Sequence, residues 1–141
     1  MNGNTSVAKS ILLYFGIILL AIGILGFIPG ISSGYSGTGL LLGIFAINPL
    51  HNVIHILTGV VALAAVYYAG GAYVRWYGLV FGIVYAIVTL VGLFQIFFVD
   101  GQFLGVVPIN GADNILHLAI TATTLAVYFL SSTREPAVSG A

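Results

Sequence analysis

Apolar residues along this chain run in long, nearly unbroken stretches, without the alternation of a half-buried strand. Four stretches, roughly 10–28, 49–69, 73–98 and 110–131, reach the ~20 mostly apolar residues that a helix needs to cross a ~30 Å hydrocarbon core. A transmembrane β-barrel would instead alternate apolar and polar positions. The pattern therefore predicts an all-α fold, a four-transmembrane-helix bundle over 10–131 with polar tails at 1–9 and 132–141. The first run follows Lys9 and is longer than the ~7–15-residue core of a signal peptide. No A-x-A cleavage pattern follows it, so it reads as a retained helix.

The second half repeats the first at an offset of 62, from Leu42 to Leu104. Leu42-Gly43, Ile47-Asn48, Asn52 and His55 reappear without a gap as Leu104-Gly105, Ile109-Asn110, Asn114 and His117. Leu63-Ala64 matches Leu125-Ala126, and Gly16 matches Gly78. This predicts two copies of a two-helix unit, about 10–69 and 73–131. A unit with an even number of crossings keeps its orientation when copied, so the copies should be parallel, with a pseudo-twofold along the membrane normal. In each unit a short apolar piece, 40–47 or 103–109, leads into the second helix. These are too short to span; they are expected to be interfacial or partly re-entrant, with any nonhelical backbone shielded by protein.

Composition sharpens the class. Sixty per cent of the residues are apolar and 4% are charged, three basic and three acidic, so the lipid bilayer is the expected partner for most of the surface. Zero net charge and the lack of a basic cluster give no support to nucleic-acid binding. The absence of cysteine excludes disulfides, thiolate metal sites, iron–sulfur clusters and covalently attached haem. Lys9, Arg75 and Arg134 fall on one side of a four-helix topology, which the positive-inside rule makes cytoplasmic together with both termini. Asp100 and Asp113 fall on the other side. Tyr14, Tyr67, Tyr68, Tyr73, Trp76, Tyr77 and Tyr128 are expected to form an aromatic belt at the cytoplasmic ends. Gly16, Gly23, Gly26, Gly78 and Gly82 are small residues that let helix backbones approach, within the monomer or in a homo-oligomer.

The polar residues gather at the outer ends of helices 2 and 4. Asn48 before Pro49 is a helix start with Asn as N-cap, and by the repeat Asn110 caps helix 4, where Asp113 can close a capping box. Counting onward, Asn52 and Asn114 lie one turn in, and His55 and His117 about 10 Å along the helix at 1.5 Å per residue. Polar groups at that depth should face the bundle interior, with His51 and Asp113 nearer the outer surface. One reading is structural: Asn48, Asn52, His55, Asn110, Asn114 and His117 bond the helices together in a protein that acts as a scaffold or a partner of other membrane proteins. The sharper reading notes that His51-x3-His55 and Asp113-x3-His117 each offer two ligands at i, i+4. His51, His55, Asp113 and His117 then form a candidate site for a divalent transition metal in a transport or redox subunit. Bis-histidine haem ligation by His55 and His117 is a lesser variant, and a proton-responsive site is a third. No nucleophile–base pair, phosphate-binding loop or paired carboxylate appears, so no enzymatic activity is expected.

The stretches Gly26-Phe27-Ile28-Pro29-Gly30-Ile31, Leu42-Gly43-Ile44-Phe45, Leu50-His51-Asn52-Val53-Ile54-His55 and Ala112-Asp113-Asn114-Ile115-Leu116-His117 resemble the signature segments of the prokaryotic membrane-protein family catalogued as domain of unknown function 4383. The resemblance covers roughly 9–131. It implies a small four-helix protein of a prokaryotic cell membrane, and no assigned activity.

Overall fold

Asn48 and Pro49 start a helix as their chemistry requires. The extended backbone of Asn48 lets its Oδ1 accept the His51 N–H at 2.9 Å, and Pro49 gives up no bond at the first helical position, where its N–H would have been unpaired. In the computed structural model, which describes residues 3–131, this helix is α2, Pro49–Tyr67. It is joined by α1, Gly3–Leu25, α3, Val74–Phe94, and α4, Gly111–Leu130. Among the described residues, these four helices are long and apolar enough to cross a membrane. The apolar span of α1 is Thr5–Leu25, so the helix starts upstream of the 10–28 stretch that hydropathy marks. Arg134 and the 132–141 tail lie outside the described residues.

The helices form two hairpins, α1 along α2 and α3 along α4, which meet where α1 packs on α4 and α2 on α3. Within each hairpin, glycines set the spacing. A Cβ at Gly59 would stand 2.7 Å from the Leu20 nitrogen and 2.8 Å from the Gly16 carbonyl; one at Gly78 would stand 2.6 Å from the Tyr128 nitrogen. These distances are below any tolerable contact, so backbone packs on backbone with little else between, as small residues allow inside lipid. Leu12, Leu19, Val66, Val74 and Val127 fill the inner part of the bundle. Ile17, Val60, Ile83, Ile87 and Leu118 point outward, the apolar coat that lipid contact demands.

The segments 40–47 and 103–109, expected to be interfacial or partly re-entrant, are not irregular. They are small antiparallel sheets. Strands β1 (Gly39–Leu41) and β2 (Phe45–Ile47) pair with Leu41 opposite Phe45, and β3 (Phe98–Val99), β4 (Gln102–Phe103) and β5 (Val107–Pro108) form a meander. Three turns carry two successive left-handed residues: Leu42-Gly43, Asp100-Gly101 and Leu104-Gly105, with φ between 50° and 74°. Positive φ at both central residues is the type I′ geometry that matches strand twist, and Asp-Gly is its usual sequence signal. Pairing satisfies backbone groups that a lipid-facing irregular segment would leave bare.

Candidate functional site

The two outer sheets meet over the helix ends and lock to each other there. Asn48 donates its Nδ2 to the Val106 carbonyl at 2.7 Å, and Asn110 donates its Nδ2 to the Ile44 carbonyl at 2.8 Å. Each asparagine therefore caps its own helix and bonds the other hairpin's loop. Asn110 and Asp113 complete a capping box, since Asn110 Oδ1 accepts the Asp113 N–H and Asp113 Oδ2 accepts the Asn110 N–H. The same Asp113 oxygen accepts the Ala46 N–H at 3.0 Å, across 67 residues. Opposite it by the 62-residue offset, the place of Ala46 is taken by Pro108, which has no N–H, and the place of Asp113 by His51. An acceptor is present where a donor needs one and absent where proline removes it.

His51 belongs to the next layer down. Its Nδ1 lies 3.0 Å from the Ala46 carbonyl, which can only accept, so Nδ1 donates there, and the ring also interacts with the Pro108 backbone. His51 stacks on His55 with centroids 4.8 Å apart, and His117 of α4 stands 6.0 and 6.5 Å from the two rings. One ring nitrogen of each can be chosen so that the three lie within 4.8 Å of one another. All three rings are buried, 2–3% exposed. The Nδ1 atoms of His55 and His117 have no hydrogen-bond partner among the described residues. An unpaired polar nitrogen in the interior costs roughly 1–3 kcal/mol. Asn52 Nδ2 and Asn114 Oδ1 are likewise buried without a hydrogen-bond partner among the described residues.

Geometry divides the polar residues into separate groups. Asp113, 2% exposed, is buried beneath the sheets with its Oδ2 committed to backbone N–H groups. His51 is equally buried, although it lies only one turn from the cap. Asn52 turns toward Gly26 of the α1 end, and Asn114 toward Gly92 of α3, each amide filling space that a glycine leaves. They sit inside the two hairpins, while His51, His55 and His117 sit between them. A haem held by His55 and His117 would meet His51, whose ring stands 4.8 Å from one and 6.0 Å from the other while those two are 6.5 Å apart.

Two tyrosines were hidden from sequence reasoning. Tyr77, expected in the aromatic belt, is buried and donates its hydroxyl to the Thr58 carbonyl at 3.2 Å. Tyr85 is buried too, with its hydroxyl 3.5 Å from the Thr58 hydroxyl and its ring 5.7 Å from His117. Thr121 and Thr124 bond back to His117 and Ile120 carbonyls of their own helix, as threonines in apolar helices do. Tyrosine at helical spacing reads equally as belt or core; only its offset from the glycine face of α3 separates the two. The remaining belt residues Tyr14, Tyr67, Tyr68, Tyr73 and Trp76 are exposed, and Arg75 lies 5.0 Å over the Tyr128 ring.

The histidines line a cavity of about 250 Å³ in the α2–α3 seam, walled by Ile54, Phe81, Val84 and Val88 and roofed by Phe103 and Val107. Four apolar helices around a buried polar cluster define a small multi-pass membrane protein. Residues 9–130 match the profile of the domain of unknown function 4383, and the chain belongs to that family. Comparison with curated proteins and with solved structures returns no match.

Proposed function

We propose that this is a membrane-embedded metal-binding protein in which His51, His55 and His117 hold one first-row divalent ion at the outer side of the bundle. The observation that carries this reading is the convergence of three buried imidazoles, two with unpartnered Nδ1 atoms, at the wall of a cavity. The bond from His51 Nδ1 to the Ala46 carbonyl is the arrangement that orients a metal-bound imidazole. Zinc–nitrogen bonds of ~2.0–2.1 Å in a tetrahedron place ligand nitrogens about 3.4 Å apart, so small ring movements from the present 4.8 Å limit close the set. Three protein ligands leave a fourth position open, toward the cavity. Asp113 supports the site through Ala46 and is not a ligand in this reading. Asn48 and Asn110 supply the bonding between hairpins that the structural reading assigns to the whole cluster, whereas Asn52 Nδ2 and Asn114 Oδ1 have no hydrogen-bond partner among the described residues.

The same account carries an architecture and an orientation. The reciprocal Asn48–Val106 and Asn110–Ile44 bonds, related by the 62-residue offset, support two parallel two-helix units, 10–69 and 73–131, about a pseudo-twofold along the membrane normal. The Lys9 side chain packs near Gly71, at the α2–α3 turn where Arg75 also lies, which supports a cytoplasmic assignment for that end in a prokaryotic cell membrane.

The test is thermal unfolding in detergent with zinc or with a chelator. A ligand at a hundredfold excess over its Kd stabilises by about 2.7 kcal/mol, so the native chain should melt higher with zinc, and His55→Leu/His117→Leu should not respond. In chelator the double variant should be at least as stable as the native chain, because two unpaired nitrogens are gone. A loss of stability there, with no zinc response in either protein, would return the histidines to a purely structural role.

A further inference from the structure

The cavity beside the histidines is accompanied by a second one along the α2–α3 seam. The second, about 350 Å³, lies toward the opposite end of the bundle and is lined by Val61, Ala64, Tyr77 and Val80. Phe81 is a wall of both. α2 and α3 pack against each other less extensively than either packs within its own hairpin, and the seam opens sideways among exposed Val61, Val80 and Val84. One end of this path is polar, with His55 97% buried (3% exposed), its Nδ1 unpartnered, and its ring lining the cavity. The rest is apolar. Only a molecule that is itself part polar and part apolar matches both ends, and it would arrive from the bilayer, not from water.

Charge decides which polar head. The ligand set is three neutral imidazoles, and Asp113 spends its Oδ2 on the Ala46 and Asn110 N–H groups. A divalent ion there keeps its full charge in apolar surroundings, where an isolated charge is costly. An anionic oxygen donor in the open fourth position would reduce it. From His55 to Tyr68 the seam covers ~20 Å of helix at 1.5 Å per residue, more than the half of a ~30 Å core that a chain in one leaflet occupies.

We infer that the seam between α2 and α3 admits a long-chain carboxylate laterally from the bilayer, placing its head on the metal held by His51, His55 and His117 and its chain along the two cavities. This rests on the metal reading and adds its ligand class.

Cobalt(II) separates the two, because its visible d–d bands report both binding and a change of fourth ligand. The full chain in phosphatidylcholine nanodiscs would be loaded with cobalt and titrated with palmitate or with acetate. The expected result is a cobalt spectrum that shifts to saturation at about one palmitate per protein and does not shift with equal acetate. Val84→Trp, at an exposed position on the cavity wall, should still bind cobalt and should lose the palmitate shift. A cobalt spectrum indifferent to palmitate overturns the inference and leaves the metal site standing. An equal response to acetate, or an undiminished palmitate response in Val84→Trp, also overturns it, since the seam would then play no part. Absence of any cobalt spectrum removes the metal reading and this inference with it.

Discussion

Asn48 and Asn110 each use one side chain for two tasks, Oδ1 to cap a helix and Nδ2 to reach the opposite hairpin. Asn48→Asp keeps the capping oxygen and loses the donor, whereas Asn48→Ala loses both. The Ala variant should cost about 1 kcal/mol more than the Asp variant, the usual worth of an N-cap; chemical denaturation in detergent measures the difference, and equal losses would mean that the cap is idle. Asp113→Ala should cost more than either, since it leaves two partly buried backbone N–H groups unpaired at about 1 kcal/mol or more each. Gly26→Ala drives a methyl into the Asn52 amide. Its destabilisation should be largely relieved in Gly26→Ala/Asn52→Ala, a coupling that a double-mutant cycle reads directly. At this scale the caps were legible because Asn-Pro and Asn-x2-Asp are local rules. The partners of Asn52 and Asn114 were not, because they depend on which glycine of another helix lies opposite.

The elements divide in the same way. Helix existence followed from length and apolarity alone, and α2 and α4 lie where the hydrophobic runs place them, whereas α1 ends at Leu25, short of 28, and α3 ends at Phe94, short of 98, where Gln95 turns left-handed. The outer sheets escaped because their strands are two or three residues long, too short for any periodicity to register. The Leu-Gly pairs at 42–43 and 104–105 were visible as a repeat but not as turns, since leucine is a poor choice for a left-handed position. Leu42 and Leu104 hold φ of 54° and 53° with their side chains exposed. Left-handed backbone at a bulky residue costs on the order of 1 kcal/mol, and asparagine tolerates it better. Leu42→Asn and Leu104→Asn should therefore each stabilise the isolated protein in detergent. If either one destabilises it, the exposed leucine makes a contact worth more than the strain.

For the whole molecule, the class was plain from composition, while the arrangement of the histidines required the fold. His51, His55 and His117 are the three histidines of the chain, and the i, i+4 spacing brought two of them together on paper. Only the packing of α4 against the first hairpin adds His117 to the triangle and turns Asp113 aside to the backbone. The proposed topology makes a separate prediction. A reporter inserted near Ser36 should read extracytoplasmic and one fused at Ala141 cytoplasmic; the reverse at either point would overturn the orientation argued from Lys9 and Arg75.

The central claim is that three imidazoles hold a metal ion. Its most direct test is the metal content of the purified full chain, measured by elemental analysis after zinc reconstitution and removal of free ion. The account predicts about one zinc per native chain and none in His51→Ala/His55→Ala/His117→Ala. A native chain that retains no metal, or a triple variant that retains as much, would contradict it.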